Sequence, residues 1–224
     1  MKARAMAFAA NGRAVCDGLV AAWMKAACAM VFALAAPAAF AQDFIEGQHY
    51  QRLEQPQPTE TGDKVEVREF FWYGCPHCYV LEPYLDNWQV PDSAEFIRTP
   101  ATFNELWATH ARVYYVLQEM KKLDELHAVF FDALHKRKLR LTDAASIARF
   151  FEGHGIAADK FQSAWRSFLV DTKVGKADKA VRAYGLKSVP SFVVNGKYLV
   201  SPSTVTSYAQ FIEVLDYLIA LEAR

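Results

Sequence analysis

Two cysteines held two residues apart, in Cys75-Pro76-His77-Cys78, are the residues of this chain best suited to covalent chemistry. Disulfide exchange is carried out by a thiolate, so what matters first is what could ionise a sulfur at this place. The motif follows an apolar run that ends at Gly74, and residues 79–88 continue with helical spacing. Cys75 is therefore expected where a strand gives way to a helix. A helix N-terminus offers unpaired N–H donors and the positive end of the peptide dipoles, and His77 adds a donor that can carry charge. Pro76 suits the first helical turn, where its missing N–H costs nothing. Cys78 falls one turn later, within disulfide range but nearer the interior, where burial raises a thiol's pKa. Cys75 is thus the sulfur expected to be attacked and to carry a mixed disulfide, with Cys78 as its resolving partner. Holding Cys75 as an anion favours the dithiol over the disulfide, and a protein so built gives its disulfide away.

Half of a zinc site and a structural disulfide are the other uses of such a pair. Zinc needs four ligands, yet no second Cys pair follows, and His49, His77, His110, His127, His135 and His154 are scattered. His127 and His135 could share a helix face, and both are expected at surface or satisfied, partly buried positions. Haem attachment requires His directly after the second Cys, where Tyr79 stands. A loop this short constrains the unfolded chain little, so it braces poorly. No metal and no organic cofactor is expected.

The compartment is read from the N-terminus. After Lys25 comes an apolar run over residues 26–36, too short for comfortable membrane passage, and then the small-x-small pattern Ala39-Phe40-Ala41. This is the pattern of a secretory leader cleaved after Ala41. Residues 1–23 make an unusually long preamble, and Met24-Lys25 with the apolar run is already a complete leader, so translation is expected to begin at Met24. Cys28 is not placed like a lipid-acylated cysteine. Cleavage removes Cys16 and Cys28, four basic residues and one acid, leaving a mildly acidic protein whose only cysteines are Cys75 and Cys78. In an oxidising compartment an isolated pair of this kind reads as a working redox couple.

The 224 residues are 53% hydrophobic and 22% charged with no net charge, which excludes a disordered tail protein and a generally basic nucleic-acid binder. No nucleic-acid partner is expected. Residues 42–62 read as a lead-in with a short extended stretch near 49–53. Residues 65–73 alternate and then turn wholly apolar, the pattern of a strand buried on both faces. Pro83 is expected to kink the helix after the cysteines. A second strand is predicted over 95–101, then helical spacing from 104 to about 153 and again from 159 to as far as 184. The period reverts to strand on either side of Asn195-Gly196, a strong hairpin signal. An amphipathic helix over 208–221 closes the chain.

The segment from Glu69 through Phe70, Phe71, Trp72, Tyr73 and Gly74 to Cys78 resembles the active-site segment of the DsbA family of periplasmic thiol:disulfide oxidants. Residues 188–198, Ser-Val-Pro-Ser-Phe-Val-Val-Asn-Gly-Lys-Tyr, resemble that family's cis-proline loop. The resemblance spans essentially all of the chain after the leader. It implies an α/β fold, thioredoxin-like with an inserted all-helical domain. The divisions are then 1–41 as leader, 42–102 and 171–224 as the two parts of the thioredoxin-like domain, and 103–170 as the helical insertion. It further implies that Pro190 is cis and faces the cysteines, and that Val189 offers backbone groups to a substrate strand. Glu69, Glu54 and Arg98 match charged positions near the cysteines in the family. Gly74 departs from an aromatic residue found there in some members. A groove beside Cys75 lined by Trp72, Tyr73, Phe103 or Trp107 would suit unfolded clients, although aromatics at helical spacing more often form core.

The reading that follows is a periplasmic dithiol oxidase acting on newly exported proteins with free thiols. Reoxidation by a quinone-linked inner-membrane protein of the DsbB type is implied by the resemblance. A monomer is expected. A reductase or isomerase, and a thioredoxin-fold chaperone or binding protein with incidental cysteines, are the rival readings.

Overall fold

The computed structural model describes residues 44–223; the leader, its cleavage after Ala41 and the start at Met24 lie outside the described residues. Five strands form one mixed sheet: β1 (Gln51–Arg52), β2 (Val65–Phe71), β3 (Ala94–Pro100), β4 (Ser191–Val194) and β5 (Tyr198–Val200), in spatial order β1-β5-β4-β2-β3. β2 and β3 run parallel, whereas β4 is antiparallel to both β2 and β5. Among the described residues seven helices accompany them: α1 (Pro76–Asn87), α2 (Glu105–Glu119), α3 (Leu123–His135), α4 (Ala144–Glu152), α5 (Ala158–Trp165), α6 (Phe168–Ala183) and α7 (Tyr208–Glu222). This is the thioredoxin-like α/β fold with a helical block between β3 and β4.

β2 is buried along its whole length because both its faces are covered. On one face Val65, Val67, Phe192 and Val194 pack with Leu81 and Leu85 of α1, with Trp88 just after it, and with Phe211, Val214, Leu215 and Leu218 of α7. On the other, Phe70 and Val193 join Val181 and Tyr184 and run on into the helical block. Trp88 fastens α1 to α7 through its indole N–H, which donates to Asp216 at 2.9 Å. The hairpin turn takes positive φ at both positions, 49° at Asn195 and 64° at Gly196. A Cβ at residue 196 would lie 2.0 Å from the Gln57 carbonyl oxygen, so the lead-in chain can cross the turn only over glycine.

Two differences from the sequence reading have local causes. The long helix expected from 159 to 184 is interrupted at Arg166 and Ser167: Ser167 is extended, and its hydroxyl accepts from the Val170 N–H, capping a new helix. Residue 170, where the helical insertion was expected to end, consequently falls inside α6. The strand expected to reach Tyr73 stops at Phe71, because Trp72 turns out of the sheet to stack on Trp107, ring centroids 4.2 Å apart and nearly parallel.

Candidate active site

Cys75 is the last extended residue before α1, with φ −84° and ψ 119°, and Pro76 occupies the first helical turn. The Cys75 N–H closes a turn onto the Trp72 carbonyl at 2.9 Å. Both cysteines are unbonded and buried, Cys78 completely. The Cys75 thiol is lowered to about 6. The largest cause is a hydrogen bond from the Cys78 thiol. Burial opposes it, while the N–H groups of Cys78 and His77, and then the charge of His77, add to it. The helix-start donors anticipated from sequence are present, but the partner sulfur ranks ahead of them. Cys78 moves the other way, well above an ordinary thiol, through burial first and then through its bond to Cys75 and the nearby negative charges of Cys75 and Glu69.

The loop before β4 closes over this pair. The Val189–Pro190 peptide is cis, and the Val189 carbonyl lies 3.7 Å from Cys75 Sγ. Ser191 Oγ donates to the Ser188 carbonyl at 2.9 Å and tightens the same loop. Cys75, Cys78, His77, Pro76, Val189 and Pro190 are therefore brought together at one end of the sheet.

A chain of buried charge extends inward from Cys78. Glu69 is fully buried and accepts from Arg98 Nε at 3.1 Å. The same guanidinium reaches Glu82 at 3.1 Å, and Glu82 lies 3.3 Å from His127 Nε2, close enough for charge interaction but not aligned as a hydrogen bond. Burial lowers the His127 pKa and raises the Tyr73 phenol. The phenol O–H then donates to His127 Nδ1 across 2.7 Å. Burial raises Glu69 to about 8, against the pull of Arg98 and with help from the charge of Glu82. Glu69 thus lies where its charge can act on Cys78, and Arg98 acts on Glu69. Glu54 is exposed on the lead-in segment and takes no part in this chain.

Sequence reasoning missed Glu82, His127 and the hydroxyl of Tyr73. Glu82 carried a signal: it stands four residues after Cys78 and three before Leu85, on the buried face of α1, where an acid needs a partner. Of the aromatics expected to border a groove, Tyr73 is wholly buried by Phe71, Phe130 and Phe131 and borders nothing. Trp72, Phe103 and Trp107 are partly exposed and pack together. Trp72, Gly74, Pro76, His135 and Leu141 are among the residues lining a cleft of about 410 Å³. Gly74 is required there: a Cβ would come within 2.3 Å of the Trp72 ring.

The family model of the DSBA-like thioredoxin domain matches residues 89–213. The thiol:disulfide interchange protein DsbA of Pseudomonas aeruginosa PAO1 is 36% identical over 187 residues, covering 83% of this chain and 89% of that protein. DsbA of Azotobacter vinelandii is 38% identical over 182 residues, covering 80% and 85%. Among solved structures, the crystal structure of Pseudomonas aeruginosa DsbA superposes with a TM-score of 0.77 at 36% identity, over 80% of this chain and 95% of that one. The oxidoreductase DsbA from Xylella fastidiosa superposes with a TM-score of 0.74 at 25% identity, over 80% and 97%.

Proposed function

The chain belongs to the DSBA-like thioredoxin family and is a thiol:disulfide oxidoreductase, and from that premise we propose that it is a periplasmic dithiol oxidase donating its Cys75–Cys78 disulfide to newly exported proteins. The observation that carries this direction is the opposed behaviour of the two sulfurs, one lowered to about 6 and the other raised well above an ordinary thiol. A couple whose attacked sulfur is a stable anion favours its dithiol form and so takes electrons from clients.

In the oxidised protein a client thiolate attacks Cys75 Sγ, forming the mixed disulfide and breaking the Cys75–Cys78 bond. The electron pair goes to Cys78, which takes up a proton because its raised pKa disfavours the anion. Glu69, raised to about 8, is protonated near neutral pH and so adds little negative charge against Cys78 there. A second client thiolate then attacks the client sulfur of the mixed disulfide. The client leaves with a new disulfide and Cys75 leaves as the thiolate, the better leaving group of the pair. Attack by Cys78 on the mixed disulfide runs the other way and returns the client reduced, so the resolving role expected for Cys78 belongs to the reverse reaction. The backbone at Val189 holds an extended client segment beside Cys75, as strand pairing requires, and Pro190 shapes that loop. The cleft beneath Trp72 accommodates apolar client side chains. The dithiol is then reoxidised by a quinone-linked inner-membrane protein of the DsbB type, with no metal or organic cofactor in this chain. The active unit is a monomer.

Equilibration with glutathione tests the reading. The dithiol should persist in glutathione mixtures that oxidise ordinary protein thiols, and quinone-bearing inner-membrane vesicles should restore the disulfide. A couple more reducing than the glutathione pool would overturn the oxidase assignment.

A further inference from the structure

His77 stands on the exposed first turn of α1, a position from which an untethered imidazole would sample several rotamers and act on Cys75 only part of the time. It is not untethered. Its Nδ1 lies 2.8 Å from the hydroxyl of Tyr208, a residue 131 positions later in the chain. Tyr208 is the first residue of α7, and its place is set from both sides. Ser207 caps the helix by accepting from the Gln210 N–H at 3.1 Å, while the Gln210 side chain reaches back to the Thr206 N–H at 2.6 Å. The Tyr208 ring packs beside Tyr84 of α1, centroids 5.8 Å apart. The titratable groups around the imidazole are therefore Cys75 and Cys78 at the start of α1, Tyr84 further along it and Tyr208 from α7.

We propose that Tyr208 is a positioning residue for disulfide exchange: its hydroxyl tethers the His77 imidazole beside Cys75 and so helps to hold that sulfur as an anion. This rests on reading Cys75 as the exchanging sulfur. A tyrosine hydroxyl suits the task because it both donates and accepts. It donates to Nδ1 of a neutral ring, and it accepts from an Nδ1–H. In either state Nδ1 is engaged, which fixes the ring and leaves Nε2 as its free nitrogen. Burial, followed by the negative charges of Cys75 and Cys78, raises the phenol pKa, so the hydroxyl keeps its proton and stays within the electrostatic reach of both sulfurs.

Tyr208→Phe removes the hydroxyl and keeps the ring against Tyr84. The readouts are the equilibrium constant with glutathione and the pH midpoint of Cys75 alkylation, each measured in the wild type, Tyr208→Phe, His77→Ala and the double variant. Loss of one hydrogen bond of ordinary net strength should shift the equilibrium about fivefold toward the disulfide and raise the alkylation midpoint. Tyr208→Leu should produce the same shift, since the hydroxyl is what matters. In the His77→Ala background, Tyr208→Phe should change neither quantity. No shift in the single variants would overturn the proposal, as would a shift of equal size without His77. The cycle compares ratios, so it reads the coupling whichever way the wild-type couple lies; a reducing wild-type couple would defeat the oxidase reading and leave the coupling intact.

Discussion

At Cys75 the largest stabiliser of the anion is the other thiol of the motif, and this has measurable consequences. Cys78→Ala should raise the Cys75 alkylation midpoint above about 6, because the first of its causes is gone while the N–H donors remain. The same shift governs stability. A thiol whose folded pKa lies below its unfolded one stabilises the folded dithiol fully above the ordinary thiol range, and that gain is lost as pH falls through about 6. Urea unfolding of the dithiol and disulfide forms should therefore show the dithiol gaining on the disulfide as pH rises from about 6 to about 9. Glu69 has the opposite sign. Its folded carboxyl binds a proton that the unfolded chain releases, so stability falls as pH rises from 4.5 towards about 8. Glu69→Gln removes that slope, and the variant's unfolding midpoint should rise relative to the wild type across this range. His127, lowered by burial, contributes alike to both proteins and cancels in the comparison.

The elements that present these groups depend on a few local devices. The step from β2 to α1 takes four residues, and Gly74 is there because the Trp72 indole occupies the space a side chain would need. Gly74→Ala should push Trp72 off Trp107 and destabilise the fold by about 1–3 kcal/mol, the usual cost of overpacking. Altered tryptophan fluorescence should accompany the change; an unperturbed spectrum with wild-type stability would contradict it. Ser167 makes two bonds at the break between α5 and α6, accepting from Val170 N–H and donating to Glu119 at 2.7 Å. Ser167→Ala should cost about 1 kcal/mol in chemical denaturation. The interruption itself was hidden in the sequence because apolar spacing continues through Phe161, Trp165, Phe168 and Leu169, and one serine among them does not announce a cap. Asn195-Gly196 was legible for the converse reason: its two positive φ angles narrow the choice of residue almost to those types.

Across the whole molecule the site is assembled from segments far apart in sequence: Cys75 meets Val189, 114 residues on, and Arg98 meets Glu69 across neighbouring parallel strands. Cys75→Ala should abolish client oxidation without unfolding the protein, since its sulfur makes one long contact beyond the motif; retained oxidation would favour incidental cysteines. Trp107→Ala removes the ring stacked on Trp72, which itself lines the cleft, and should raise KM for an unfolded client while leaving the glutathione equilibrium unchanged. The cysteine pair at a helix start, the order of elements and the hairpin could all be read from the chain alone. They rest on short-range rules: what a helix start offers a sulfur, which residues accept positive φ, how apolar spacing repeats. Tertiary structure alone decided that Glu82 and His127 extend the buried polar chain below Cys78, that Glu54 stands apart, that Tyr73 is core and that Tyr208 reaches His77. A buried charge and a solvated one look alike along a sequence. What separates them is whether the packing of distant segments removes the water and supplies a partner.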